Sequence, residues 1–130
     1  MEESNYRMSE PVFNPYHRAC PSRRLLHDIG EPWTALVVGA LSDGTLRFKE
    51  ISERVDGISS RMLTQTLRVL ERDGLVTRTP YAETPPRVEY ELTTTGQELI
   101  APLRALEVWA TSHVAGTLEA HERFDGTPPG

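Results

Sequence analysis

Up to residue 74 the apolar positions of this chain repeat with a helical period; they then alternate, and finally turn helical again. The clearest stretch is "GISSRMLTQTLRVLERDG". Leu63, Leu67 and Leu70 stand at i, i+4 and i+7, one stripe of a helix. Ser59 precedes the stripe as an N-cap whose hydroxyl can accept from a first-turn N–H. Asp73-Gly74 ends it, with glycine where a left-handed C-cap residue is favoured. A step of about 100° per residue puts Arg61, Gln65, Arg68 and Arg72 opposite the leucines. Upstream, "CPSRRLLHDIG" predicts a short helix that Pro21 opens and Gly30 ends. "EPWTALVVGALSDG" predicts a second, with Trp33, Leu36, Val37, Ala40 and Leu41 as its stripe. "RFKEISERVDG" predicts a third, with Phe48, Ile51 and Val55 inward. About three residues separate it from the helix after Ser59, which suits a helix-turn-helix.

Past Gly74, "LVTRTPY" and "RVEYEL" read as strands. In the second, Val88, Tyr90 and Leu92 face one way, and Arg87, Glu89 and Glu91 the other. The link "AETPP" is stiffened by its prolines and is no two-residue turn. A stiff hairpin after a helix-turn-helix is a wing, with residues 84–87 at its tip. From Thr93, a second N-cap, Leu99, Leu103, Leu106, Ala110 and Val114 form a last stripe, widened by Ile100 and Trp109. Pro102 lies inside it and should kink the helix or weaken its first turns. About 25 helical residues span about 38 Å, longer than a small winged-helix core. The far end, with Trp109, therefore needs another apolar surface. A partner chain supplies it economically; an N-terminal helix of the same chain is the alternative. The fold expected is mainly α with a small β-hairpin wing: a winged helix-turn-helix with N- and C-terminal dimerisation helices. Residues 1–19 read as a flexible arm, 20–120 as the domain and 121–130 as a disordered tail.

Charge changes this picture in one respect. The 130-residue chain carries a net charge of −5, which taken whole argues against a nucleic-acid partner. Residues 45–92, however, hold eight basic and eight acidic side chains, so the excess of acid lies outside the helix-turn-helix and wing. No apolar run is long enough for a membrane span, no secretory signal opens the chain, and a single cysteine forbids an intrachain disulfide. These features favour the cytoplasm. Catalysis has no foothold: there is no metal-spaced Cys/His cluster, no phosphate-cradling glycine loop and no nucleophile motif. His17, His27, His113 and His121 are scattered. No enzyme activity, cofactor or metal is expected.

The remaining chemistry lies in Cys20. It stands before Pro21, where a helix begins, so its thiolate would face free N–H groups and the positive end of the helix dipole. Arg23 and Arg24, with His17 and Arg18, add positive charge nearby. A low-pKa, partly exposed thiol of this kind suits an oxidant or electrophile sensor. The plainer reading is a small packing residue.

"CPSRRLLHDIGEPWTALVVGAL", "RFKEI", "GISSRMLTQTLRVLERDGLVTRTPY" and "PPRVEYELTTTGQEL", in this order and spacing, resemble the HxlR-type, MarR-like family of bacterial winged helix-turn-helix regulators over residues 20–109. The resemblance implies a homodimeric DNA-binding transcription regulator, mostly a repressor, dimerised through its first and last helices. It makes the helix after Ser59 the recognition helix and places Arg87 in the wing. Some members sense oxidants through a cysteine matching Cys20; the second cysteine that some of them use is missing here, as is the proline often found after the Leu-Thr pair. In a helix-turn-helix the start of the second helix meets base edges. Ser60, Arg61, Thr64, Gln65 and Arg68 are then in reach of the major groove, and the N–H groups at 59–62, beginning with Ser59, suit a phosphate. Leu99, Leu103, Leu106 and Trp109 are the expected dimer seam. The expected partners are an inverted-repeat operator in double-stranded DNA and a second copy of the chain. If Cys20 is structural, a small-molecule effector would enter elsewhere, for example between the terminal helices. The rival reading is a winged-helix module that binds protein and not DNA, which the acidic balance keeps open.

Overall fold

The computed structural model describes residues 13–126. Helices α1 (Pro21–Ile29) and α2 (Thr34–Leu41) lead into a two-residue strand β1 (Leu46–Arg47) and helix α3 (Phe48–Arg54). Helix α4 (Ser60–Arg72) follows, then strands β2 (Val76–Tyr81) and β3 (Arg87–Leu92), and helices α5 (Thr94–Glu98) and α6 (Ile100–Asp125). The sheet is antiparallel in the order β1-β3-β2, with Leu46 opposite Tyr90 and Val76 opposite Leu92. This is a winged helix-turn-helix: α3 and α4 are its two helices and the β2–β3 hairpin is its wing. β1 is an addition to the sequence reading, since two residues are too few to show a period.

One core joins the elements. Leu63, Leu67 and Leu70 of α4 meet Val37, Val38 and Leu41 of α2, Ile51 of α3, Leu92 of β3 and Leu103 of α6. The α2 stripe is turned from its expected position. Val38 and Thr34 are buried, whereas Leu36 is 47% exposed. The cause is local: α2 begins at Thr34, not Pro32, and the Thr34 hydroxyl donates to the Asp28 carbonyl at 3.0 Å, which turns that face inward. Gly74 has φ +76°, the left-handed geometry expected where α4 ends. Gly96 is needed for closeness: a Cβ there would collide with the Leu75 carbonyl, so α5 can lie against the start of the wing only without a side chain.

The last element is two helices. Thr93 caps α5, accepting from the Gly96 N–H at 3.1 Å. The chain then re-starts at Leu99, the N-cap residue of α6. Pro102 thereby falls in the first turn of a new helix, where its missing N–H leaves no bond unmade. α6 is 26 residues long and runs to Asp125, so residues 121–125, expected in a disordered tail, are helical. Of the expected arm, residues 1–12 lie outside the described residues. Residues 14–20 form turns, in which the His17 N–H donates to the Asn14 carbonyl and the Cys20 N–H to that of His17.

Two acids meet where α1 ends near the end of α4. Asp28 is 8% exposed and accepts from Arg24 Nε at 3.1 Å, with His27 Nδ1 at 3.6 Å. Its carboxyl also meets that of Asp73. Two carboxylates can bond only through a proton held between them. Burial, then the hydrogen bond and charge of Asp28, raises the pKa of Asp73 despite Arg72 and Arg24. Burial also opposes the charge of Asp28, but the bond from Asp73 and the nearby Arg24 and His27 outweigh it and hold its pKa low. Asp73 Oδ2 is buried without a partner among the described residues. A group whose pKa is raised by folding costs stability once the pH is high enough to ionise it. Asp73→Asn places a permanent donor there, so its thermal midpoint should exceed wild type at pH 7. The gain should shrink as the pH falls and wild-type Asp73 takes up its own proton. A midpoint equal to or below wild type at every pH would contradict the shared proton.

Candidate nucleic-acid interface

The turn between α3 and α4 delivers Ser59 in extended geometry, and its Oγ accepts from the Met62 N–H at 3.1 Å. The N–H groups of Ser60 and Arg61 belong to a first turn that no preceding turn can satisfy. The side chains expected to face DNA come together. Ser60, Arg61, Thr64, Gln65 and Arg68, with Val69 and Arg72, line one open concavity of about 760 Å³. Neither Arg61 nor Arg68 has a salt-bridge partner among the described residues, so their charge is directed outward.

The wing behaves differently from expectation. Arg87 reaches Glu83 at 3.0 Å and Glu89 at 3.3 Å, and its guanidinium lies 4.1 Å from the centre of the Tyr81 ring. Its charge is spent inside the hairpin, where it ties the residues before β3 to both strands. The strand residue nearer to α4 is Arg78, which the sequence reading missed. It shares a second hollow, of about 380 Å³, with Thr64 and Arg68. Its signal was its place opposite Tyr90: that ring faces α4, and the register carries Arg78 to the same end of the sheet.

Cys20 is the N-cap residue of α1, as expected, but at 3% exposure it is buried rather than partly exposed. The turn before it brings the Asn14 backbone to the sulfur. Burial pushes its thiol pKa up. The Ser22 hydroxyl, 2.9 Å from Sγ, and backbone N–H groups of Ser22, Asn14 and Arg23 outweigh that and bring it below the ordinary thiol value. Arg24, expected to add to the effect, is committed to Asp28.

The residues expected along a seam divide into two groups. Leu103 is buried at 4% exposure and Leu99 is half-buried, both in the chain's own core. They are there because α6 crosses α2 at its first turns, where Leu103 and Ile100 share a contact with Ala35 and Val38. Leu106 and Trp109, at 63% and 60% exposure, lie beyond that crossing, and Val114, Leu118 and Phe124 continue the exposed apolar set. The Trp109 ring stacks on His113 at 4.5 Å. Leu25 and Leu26 of α1 are exposed too.

Residues 28–117 match the model of the HxlR-like helix-turn-helix family. The chain belongs to that family. It is 49% identical over 90 residues to an HTH-type transcriptional regulator of Methanothermobacter thermautotrophicus, covering 69% of each chain. Among solved structures it is similar to the transcriptional regulator ytfH of Salmonella typhimurium, with a TM-score of 0.79 and 36% identity over 85% of this chain and 99% of that one. It is also similar to diamide-treated YodB of B. subtilis, with a TM-score of 0.62 and 37% identity over 74% of this chain and 96% of that one. The protein is a transcriptional regulator of the helix-turn-helix type, a class whose members are generally not enzymes. No helix among the described residues is long and apolar enough to cross a membrane, and no group of three or more His, Cys, Asp or Glu side chains among them could hold a metal ion.

The geometry of Cys20 sets two effects against each other, a favoured thiolate and a covered one. In native protein its alkylation by iodoacetamide at pH 7.5 should be slower than in denatured protein, because cover limits attack. Asn14→Ala, which loosens the turn above it, should raise the native rate. A native rate above the denatured one would mean that the cover is no barrier.

Proposed function

We propose that the protein binds double-stranded DNA as a homodimer, on an inverted repeat, and represses transcription from that site in the cytoplasm. One observation carries the DNA reading: Arg61, Arg68 and Arg72 share one exposed face with Thr64 and Gln65, and no acid lies among them. Arginine can bridge O6 and N7 of guanine, and glutamine can pair with adenine. The N–H groups at Ser60 and Arg61, with Ser59 beside them, take a phosphate. Arg72, about 16 Å along the axis from Arg61, and Arg78 meet the backbone. Arg87 must first leave Glu83 and Glu89 to do the same, so it contributes less than Arg72 and Arg78. The dimer reading rests on α6. Beyond Glu107 its large apolar side chains are half or more exposed, and α1 offers Leu25 and Leu26 as a surface of matching character. In such a dimer the two α4 helices enter successive major grooves about 34 Å apart or a multiple of that.

Cys20 is the proposed sensor. Its lowered pKa supports this, and diamide, the reagent with which the similar YodB was treated, oxidises thiols. With one cysteine per chain, the products are a mixed disulfide with a small thiol or an alkyl adduct. A bridge between the two copies of Cys20 would need Cα atoms within about 7 Å across the dyad. Burial of the thiol, with the Asn14 backbone against it, makes opening of the preceding turn part of the response.

A mobility shift on the promoter of its own gene decides between this and the protein-binding alternative, which the net charge of −5 favours. DNA affinity should fall steeply with salt, by about 0.9 log units per log unit of salt for each phosphate contact. Arg61→Ala should cost about 1–3 kcal/mol on the operator and much less on random DNA. Equal losses on both would make Arg61 a phosphate contact, and a complex insensitive to salt would favour a protein partner.

Trp109→Ala tests the seam. Truncating a packed tryptophan costs about 3–5 kcal/mol, and here that cost should fall on association. Sedimentation should show the variant shifted toward monomer, with its DNA affinity reduced alongside. An unchanged association state would place Trp109 outside the interface.

A further inference from the structure

Along α6, Leu106, Ala110, His113, Thr117, Ala120 and Phe124 follow Leu103 at alternating steps of three and four. That spacing is the seam of one helix laid along another, each side chain entering a gap between side chains of its partner. From Arg104 onward every described residue is exposed, so no other part of the described chain fills the seam. Its positions carry no Asp, Glu, Lys or Arg, and Ala110, Thr117 and Ala120 are small enough to let two helices come close. A second copy of α6 is the occupant with the matching repeat and no carboxylate or fixed cation to bury. His113 stands in the middle of the seam. Its ring is stacked on that of Trp109 at 4.5 Å, and its Nδ1 lies 2.8 Å from the Trp109 carbonyl oxygen. A carbonyl only accepts, so Nδ1 carries the hydrogen and Nε2 is left to take a proton. The nearest charged side chains along α6, Glu107 and Glu119, are six residues to either side and about 120° round the helix from His113. His121 lies at the edge of the same face. Where α1 approaches the seam through Leu25 and Leu26, its charged groups are Arg23, Arg24, His27 and Asp28, and Arg24 already holds Asp28.

We propose that α6 pairs with α6 of a second copy along this seam and that His113 makes the pairing proton-dependent, strong with the ring neutral and weak with it charged, a regulation that rests on the dimer reading above. The stack on Trp109 and the Nδ1 bond both lie within one helix. A lone copy and a paired one have them alike, so they favour neither state. What pairing changes is water: Nε2 loses it, and burial disfavours the charged ring. Two copies also bring two such rings to the middle of one seam, where like charges repel. In water imidazole takes a proton near about pH 6.5. Pairing that shuts the proton out is complete above that pH and weakens as the pH falls through it. Acidification therefore separates the copies, and an operator that needs both is released. That last consequence rests on the DNA reading, whereas the proton-dependent pairing does not.

Sedimentation of the full chain at pH 7.5 and pH 5.5, at one ionic strength, reads the dissociation constant of the pair. It should rise by about tenfold to a hundredfold at the lower pH, as up to two protons are taken up when a pair separates. His113→Leu and His113→Gln both remove the proton site from an exposed helical position. Each should leave a dimer whose dissociation constant is the same at both pH values. His121→Gln should keep the wild-type dependence. A wild-type dissociation constant equal at both pH values, a dependence that survives in the two His113 variants, or its loss in His121→Gln would each overturn the role of His113 and leave the dimer standing. A His113→Leu variant that is monomeric at pH 7.5 would overturn its place in the seam. Wild-type monomer at both pH values would overturn the dimer reading and the proton-dependent pairing together.

Discussion

Leu63, Leu67 and Leu70, each at 2% exposure or less, hold one side of α4 so tightly that the helix cannot roll about its axis. Rotation by even one residue, about 100°, would drive Arg68 into the core and carry a leucine into water. The orientation of every polar side chain on the opposite side follows from that. Ser59 fixes where the helix starts and Gly74 where it stops, so its position along the axis is set as firmly as its rotation. The arrangement of Arg61, Gln65 and Arg68 is thus a property of the core beneath them, and the exposed face can change its chemistry without cost to the fold.

Electrostatics follow the same division. A chain of net charge −5 approaches a polyanion only if its cations are gathered and its acids are kept apart or neutralised. The α4 face does the first. The wing does part of the second: Glu83 and Glu89 are both paired with Arg87, so the hairpin tip keeps one negative charge in place of two. The cost is that Arg87 becomes a brace for the hairpin, while Arg78, nearer the groove between wing and helix, keeps its charge outward.

What could be read in the residues beforehand follows from which interactions are local. The α4 stripe, its Ser59 cap and the Gly74 stop are written within a few residues of one another, and all three hold in the structure, whereas Arg87, Val88, Glu89 and Tyr90 of β3 are all half-buried and do not alternate. β1 is too short to carry a period and exists only because β3 lies beside it. The rotation of α2, with Val38 in and Leu36 out, depends on the bond from Thr34 to Asp28, which periodicity cannot reveal. The break at Leu99 was partly visible in Pro102, but the division of the last stripe into core and exposed residues was not: Leu103 and Leu106 are equivalent on a helical wheel and differ only in how far α2 reaches. The burial of Cys20 and the pairing of Asp28 with Asp73 are tertiary in the same sense. The concavity gathers five of the side chains picked out as facing DNA. What Arg87 touches depended on Glu83 and Tyr81, and their closeness is set by the path of the loop.

The break at Leu99 gives α6 the mechanics of a boom on a short mount. It is fastened to its domain over its first two turns, by Ile100 and Leu103, and the remaining 18 or so residues extend about 27 Å beyond. An arm of that length converts a tilt of about 10° at the mount into a displacement of about 5 Å at the tip, comparable to one helical turn. Side chains at the mount, among them Ala35 and Val38 of α2, therefore govern geometry far from themselves. A methyl group gained or lost there would be felt less in the melting curve than in the distance between whatever the two ends of the molecule hold.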